Sequence, residues 1–185
     1  MKTKMLGRFA MAAVLLTGAA AAATKASANL PQSDSDIAKN VRHEIVMYPH
    51  YSIWDDFGFR VVNGNVDLMG AATQPYKKQD LERLVQKVPG VASVTNEIKV
   101  LPLSPMDDRL RVQVANAVYR DPILSGYSLM ALPPIHIIVE NGHVTLTGTV
   151  STDMQKQIAG MRAASGLSFG PVTNNLVVEH PAKKS

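Results

Sequence analysis

Apolar and polar positions along this chain trace one pattern that occurs twice. Val61-Val62-Asn63-Gly64-Asn65-Val66-Asp67-Leu68-Met69-Gly70 returns as Val139-Glu140-Asn141-Gly142-His143-Val144-Thr145-Leu146-Thr147-Gly148. In each copy an apolar run meets Asn-Gly, and an alternating run then ends in glycine. Asn-Gly between two strand-like runs predicts a β-hairpin, because a type I′ turn needs positive φ at both central residues. Asn63, Gly64, Asn141 and Gly142 are the expected turn residues. Phe57, Phe59 and Val61 fall on one strand face, as do Ile135, Ile137 and Val139. Val66 and Leu68 match Val144 and Leu146, while His143, Thr145, Thr147 and Thr149 point the other way. Such alternation predicts a sheet with one buried and one wetter side. Gly70 and Gly148 lie on the inward register, which suggests a bulge or a helix backbone passing close by.

Helical periodicity flanks each hairpin. Ile37, Val41 and Ile45 recur at four-residue steps, and so do Leu110, Val114 and Val118. Each set predicts one apolar stripe of an amphipathic helix. Asp34, Ser35 and Asp36 suit the cap and first turn of the first of these helices, and Asp107 and Asp108 those of its counterpart. Pro49 and Pro122 follow the ends. A second helix is expected over about Pro75 to Lys87, with Leu81, Leu84, Val85 and Val88 buried and Lys77, Lys78, Arg83 and Lys87 solvated. Its counterpart runs from Met154 to Ala164, capped by Thr152 or Asp153, with Ile158 and Met161 inward. A last strand, Ser93 to Val100, is mirrored by Pro171 to Val178. Thr95-Asn96 returns as Thr173-Asn174 in it, and alternation puts each Asn on the buried face, where it needs a partner.

The fold class is therefore α+β: two tandem α-β-β-α-β units, each a small mixed three-stranded sheet with two helices on one face. The boundaries read as a signal peptide over 1–28, a flexible leader over 29–35, a first unit over 36–100, a linker over 101–105, a second unit over 106–180 and a tail over 181–185. Two prolines make the linker short and stiff. Units of this size are marginal on their own, so the two are expected to pack on each other or on a partner.

Composition changes the picture at the N-terminus. Lys2, Lys4 and Arg8 precede an Ala-rich apolar run, and Ala26-Ser27-Ala28 offers a small-x-small cleavage site, the marks of an export signal. The apolar run is shorter than the roughly 20 residues a membrane span needs. The expectation is a periplasmic protein with no integral span after cleavage. Four of the 19 basic residues lie in this stretch, leaving 15 against 15 acidic residues beyond it. No net charge then favours a nucleic-acid partner. The chain has no cysteine, which excludes disulfides, thiolate metal sites, a cysteine nucleophile and a lipidated cysteine.

This arrangement resembles the BON-domain family of osmotically induced periplasmic proteins. The resemblance rests on the Asp-rich helix starts, the Asp121-Pro122 step, the Asn141-Gly142-x-Val144-x-Leu146-x-Gly148 hairpin and the closing strands. In the first copy it also rests on Val88-Pro89-Gly90-Val91-Ala92-Ser93-Val94-Thr95-Asn96. It covers nearly all of Asp36 to Glu179. The first unit departs in having Tyr48-Pro49 for Asp-Pro, and the second in having Gly166-Leu167-Ser168-Phe169-Gly170-Pro171 for Val-Pro-Gly-Val. The resemblance implies association with a phospholipid membrane surface or with envelope proteins under osmotic or other stress, with no cofactor and no catalysis.

Candidate chemistry is sparse. Gly166 to Gly170 fits G-x-S-x-G, but that motif needs a strand entering a helix and a later acid and histidine; here a helix leads to a strand. A glycine-rich turn is the simpler reading. No two histidines stand at helical i, i+4 spacing, so no metal is expected, though His136 and His143 could form a cross-strand pair. Tyr51 and Trp54, ahead of the first strand, belong either to the core or to a membrane interface. Lys77, Lys78, Arg83 and Lys87, with Lys156 and Arg162, are the candidate lipid- or partner-binding residues. Met154, Ile158 and Met161 suit a packing or partner surface. A periplasmic protein-binding adaptor or chaperone-like module is the alternative to lipid binding.

Overall fold

A computed structural model describes residues 32–165 and 170–179. In the first copy α1 (Asp34–Val46) leads to the hairpin of β1 (Asp56–Val62) and β2 (Asn65–Ala72), then to α2 (Pro75–Val85), β3 (Ser93–Asn96) and β4 (Lys99–Val100). The second copy runs α3 (Pro105–Tyr119), a 3-10 helix (Ser125–Leu129), β5 (Ile135–Glu140), β6 (His143–Val150), α4 (Asp153–Ala164), β7 (Val172–Asn174) and β8 (Val177–Val178). The fold is α+β in two repeated units, each a small mixed sheet packed against helices. In each sheet the hairpin is antiparallel and the closing strand runs parallel to its middle strand.

The closing strand is expected to be continuous, yet it is broken in both copies. Asn96 turns inward: its Nδ2 donates to the Lys78 carbonyl of α2 at 2.8 Å, and its Oδ1 accepts from Ile98 N–H at 3.2 Å. Asn174 does the same with the Lys156 carbonyl of α4 at 2.7 Å and Leu176 N–H at 3.3 Å. Each Asn satisfies its buried amide by interrupting its own strand and holding the second helix onto the sheet. Pairing with the middle strand resumes at Lys99 and Val177.

Each unit encloses its own core. Ile37, Val41 and Ile45 of α1 meet Val66, Leu68, Leu81, Val85 and Ile98. Leu110, Val114 and Val118 of α3 meet Val144, Leu146, Val150, Ala159, Ala163 and Leu176. On α4 the inward residues are Ala159 and Ala163, and the expectation for Met161 is overturned: it is 63 % exposed. Small residues let α4 lie close to the sheet. A Cβ on Gly160 would meet Asn174 Nδ2 at 2.7 Å. With the helix turned this way, Met161 lies two residues, or about 200°, from Ala159 and faces outward.

The helices start earlier than the acidic residues suggest. Ser33 caps α1 and Ser104 caps α3, each side chain accepting an N–H three residues on. Leu101, at the start of the expected linker, is buried and donates its N–H to Ala72 O at 2.8 Å, extending the first sheet. The expected cleavage site, the glycine-rich turn at 166–169 and the tail lie outside the described residues.

Candidate functional site

Aspartates that do not cap their helices reach the hairpin turns instead. Asp34 accepts from the N–H groups of Asn63 and Gly64 at 2.7 and 2.8 Å. Asp107 accepts from those of Asn141 and Gly142 at 2.9 and 2.8 Å. Asn63 and Asn141 hold φ of 51° and 52°, the left-handed values that a type I′ turn demands. The four turn residues are thus structural, each pair clamped by a carboxylate on the first helix of its unit. Gly70 and Gly148 are structural for another reason than a nearby helix. At φ of 112° and 103°, a Cβ would lie 2.1 Å from Asp56 O and 1.9 Å from Pro134 O, so the crowding comes from the adjoining strand.

The six basic candidates do not form one surface. Lys77 is a correction: it is buried, with Nζ 2.6 Å from Asp55 Oδ2 and 3.0 Å from Thr73 Oγ1. Burial alone would raise the Asp55 pKa, but Lys77, Ser52 and Thr73 together hold it below the usual carboxylate range. A buried aspartate just ahead of β1 needed a cation, and α2 supplies it. Arg83 pairs with Asp80 at 2.7 Å, and Arg162 with Asp121 at 2.7 Å. Lys78 and Lys156 occupy equivalent places on α2 and α4, half-buried, and Lys87 is exposed at the end of α2.

The second helices differ on their outer faces. Met154 and Met161 stand seven residues apart on α4, one above the other, 60 % and 63 % exposed, with half-buried Ile158 between them. The matching α2 positions are Tyr76, Asp80 and Arg83. So α4 carries an apolar stripe flanked by Arg162, while α2 carries an ion pair.

The two units join through the loop ahead of β1. Ile53 O accepts from Ile137 N–H at 2.7 Å. Tyr51 stacks on His136 with ring centroids 5.1 Å apart, and Trp54 packs against the second core. Lys99 bridges to Glu140 at 2.7 Å. Tyr51 and Trp54 therefore serve the junction. A cavity of about 270 Å³ opens beside it, lined by Trp54, Thr73, Leu103, Arg111 and Val112 among others. His136 and His143 do not meet. His136 is buried against Tyr51 and Ser52 O, and His143 Nε2 lies 2.8 Å from Thr173 Oγ1. The two share a sheet face but stand four residues apart along β6, since His136 pairs with Thr147. Burial lowers the His136 pKa below its ordinary value against the opposing pull of Asp56.

Sequence reasoning missed the Asp55–Lys77 pair, the junction role of Ile53 and the exposure of Met161. Only Met161 had a local signal: alanines at 159 and 163 define a rival inward stripe.

Among the described residues no group of three or more His, Asp or Glu side chains converges as a metal site, and no helix is long and apolar enough to cross a membrane. Ser168 of the G-x-S-x-G match lies outside the described residues.

No curated protein matches this chain. Two solved structures of CdsD, described as a structural protein of the type III secretion system of Chlamydia trachomatis, are similar to 80 % of it. One is 18 % identical over 94 % of its own chain with a TM-score of 0.28. The other, a C-terminal domain, is 17 % identical over all of its chain with a TM-score of 0.29. At such TM-scores the fold and role of this chain rest on its own geometry. A family model described as BON domain matches residues 33–102 and again 107–180. With a helix-clamped Asn-Gly hairpin in each matched stretch, the chain belongs to the BON-domain family, associated with membrane and envelope binding and generally non-catalytic, as a tandem pair.

Proposed function

We propose that this chain is a non-enzymatic periplasmic envelope protein that binds phospholipid surfaces through the outer face of α4 and supports the envelope under osmotic or other stress. The reading is carried by Met154 and Met161, two large apolar side chains exposed in line on one helix. A helix with such a stripe lies in the interface plane and buries it among the acyl chains. Lys156 and Arg162 flank the stripe, and basic residues near an anionic surface each contribute roughly 1 kcal/mol, less for Arg162, which already has a carboxylate partner. Lys78 and Lys87 add a weaker attraction from the first unit. The export signal at the N-terminus supports the periplasmic address.

Co-sedimentation with vesicles of phosphatidylglycerol and phosphatidylethanolamine tests this reading. Binding is expected at low salt and should weaken as salt rises. Met154→Asp with Met161→Asp should lower it roughly 30-fold, taking about 1 kcal/mol for each half-exposed methionine. If no protein sediments with anionic vesicles at low salt, the lipid reading fails. The same stripe would then fit the apolar groove of a periplasmic protein partner.

A further inference from the structure

The outer strands of the two sheets are treated differently. Each hairpin closes on a hydrogen-bonded pair, Val62 with Asn65 and Glu140 with His143, so alternate residues turn their polar groups away from the sheet. On β5 the outward residues are Ile135, Ile137 and Val139, and all three are capped. The Tyr119 hydroxyl donates to Ile135 O, and Arg111 Nη2 donates to Val139 O at 2.7 Å. Ile137 N–H donates to Ile53 O, from the other unit, at 2.7 Å.

On β1 the matching residues are Phe57, Phe59 and Val61, 78 residues upstream, as Val62 is of Glu140. The helix positions matching Arg111 and Tyr119 are Ala38 and Val46, 73 residues upstream as Ile37 is of Leu110. Neither can donate. Tyr51 reaches the Phe57 backbone. Among the described residues nothing else hydrogen-bonds the outward groups of Phe59 and Val61. An uncapped edge of this kind is a template for another strand or loop.

The segment that caps β5 also has a counterpart. Tyr51-Ser52-Ile53-Trp54 corresponds, 78 residues on, to Leu129-Met130-Ala131-Leu132. Leu129 is 88 % exposed and Met130 51 %. The 3-10 helix behind them is anchored by Tyr127, whose hydroxyl donates to Gln155 Oε1 and accepts from Ser151 N–H, both at 2.9 Å. One copy of the recognition pair, loop on edge, is used inside the chain; the other loop and the other edge are both free among the described residues.

We propose that residues 129–132 of one molecule dock on the β1 edge of a second copy of this chain. Ala131 O accepts from Phe59 N–H, as Ile53 O accepts from Ile137 N–H within the chain. Leu129 lies over Gly58, which stands where His136 receives Tyr51. Loop and edge are different surfaces, so the contact is heterologous and each molecule offers a further site to the next.

Sedimentation velocity of the full chain over a hundred-fold range of concentration tests this. The mean mass should rise steadily with no plateau at dimer. Leu129→Glu should hold the chain monomeric to concentrations about ten-fold higher or more. Phe59→Pro should do the same, because proline is tolerated on an outward edge position but removes the donor. Should Phe59→Pro lose its circular dichroism, Gly58→Glu blocks the same edge from the outer face. An equal mixture of loop-blocked and edge-blocked chains should form a one-to-one pair and nothing larger. A mass constant across the range, growth insensitive to Leu129→Glu, or a dimer that saturates would each overturn the proposal.

Discussion

The two units share a fold and differ in how they manage charge and exposed apolar surface. The first buries a lysine–aspartate pair where α2 begins and carries the Asp80–Arg83 ion pair beside Tyr76 on the outer face of α2. At the same place the second has a neutral network of Tyr127, Ser151 and Gln155, and it carries methionines outside. The first leaves its β1 edge uncapped at Phe59 and Val61, whereas the second has its β5 edge capped from three sides. The shared features (hairpin turns, clamping aspartates, inward Asn) all serve the backbone. The differences lie where side chains meet something beyond their own unit, which is where functions diverge after a duplication.

The largest test of that contrast is Lys77→Ala. It leaves Asp55 charged, buried and short of a partner, and should cost about 3–5 kcal/mol in a urea titration. Gln155→Ala, at the matching position, removes only neutral hydrogen bonds and should cost about 1 kcal/mol. Equal losses would erase the distinction. Since the pKa of Asp55 is depressed, its contribution is present above about 3.8 and is lost as pH falls through the lower folded value.

The clamps come next. Asp107→Ala should cost about 3 kcal/mol and Asp34→Ala about 1.5 kcal/mol, because Asp107 is 1 % exposed whereas Asp34 is only half-buried, so solvent compensates the first unit's turn in part. The outer faces follow. Aspartates at Met154 and Met161 should depress vesicle binding roughly 30-fold, worth about 2 kcal/mol. Tyr76→Ser, a neutral change at the place on α2 that matches Met154, should change it less than about threefold, because α2 has no apolar stripe to lose. The smallest effect belongs to the junction. Burial holds the His136 pKa down, so the folded state loses stability as pH drops below about 6.5, where the unfolded chain takes up the proton first. His136→Gln should flatten that slope in thermal melts between pH 7 and pH 5.

What was legible in the sequence was local. Asn-Gly, the four-residue apolar steps and the alternation of Val66 and Leu68 each act over a few residues, and each matches its element. The inward Asn96 and Asn174 followed from alternation alone, though the strand break they cause did not. Asp34 and Asp107 read as caps because a cap is a local signal, while the turns they hold lie about 30 residues away. Lys77 read as solvated because its helix neighbours are, and Asp55 lies 22 residues upstream of it. His136 sits in a strand whose parity is plain, but what covers it comes from the other unit.

The Ile53–Ile137 hydrogen bond has a practical corollary for dissecting the protein. The covalent boundary near residue 103 is not the physical one, because the piece that finishes the second sheet is encoded fifty residues before it. A protease cut between Lys99 and Arg109 would leave the fragments gripping each other. A C-terminal fragment starting at residue 106 would expose a raw strand and an unfilled seat for Trp54, and any stickiness it showed would be an artefact of the truncation.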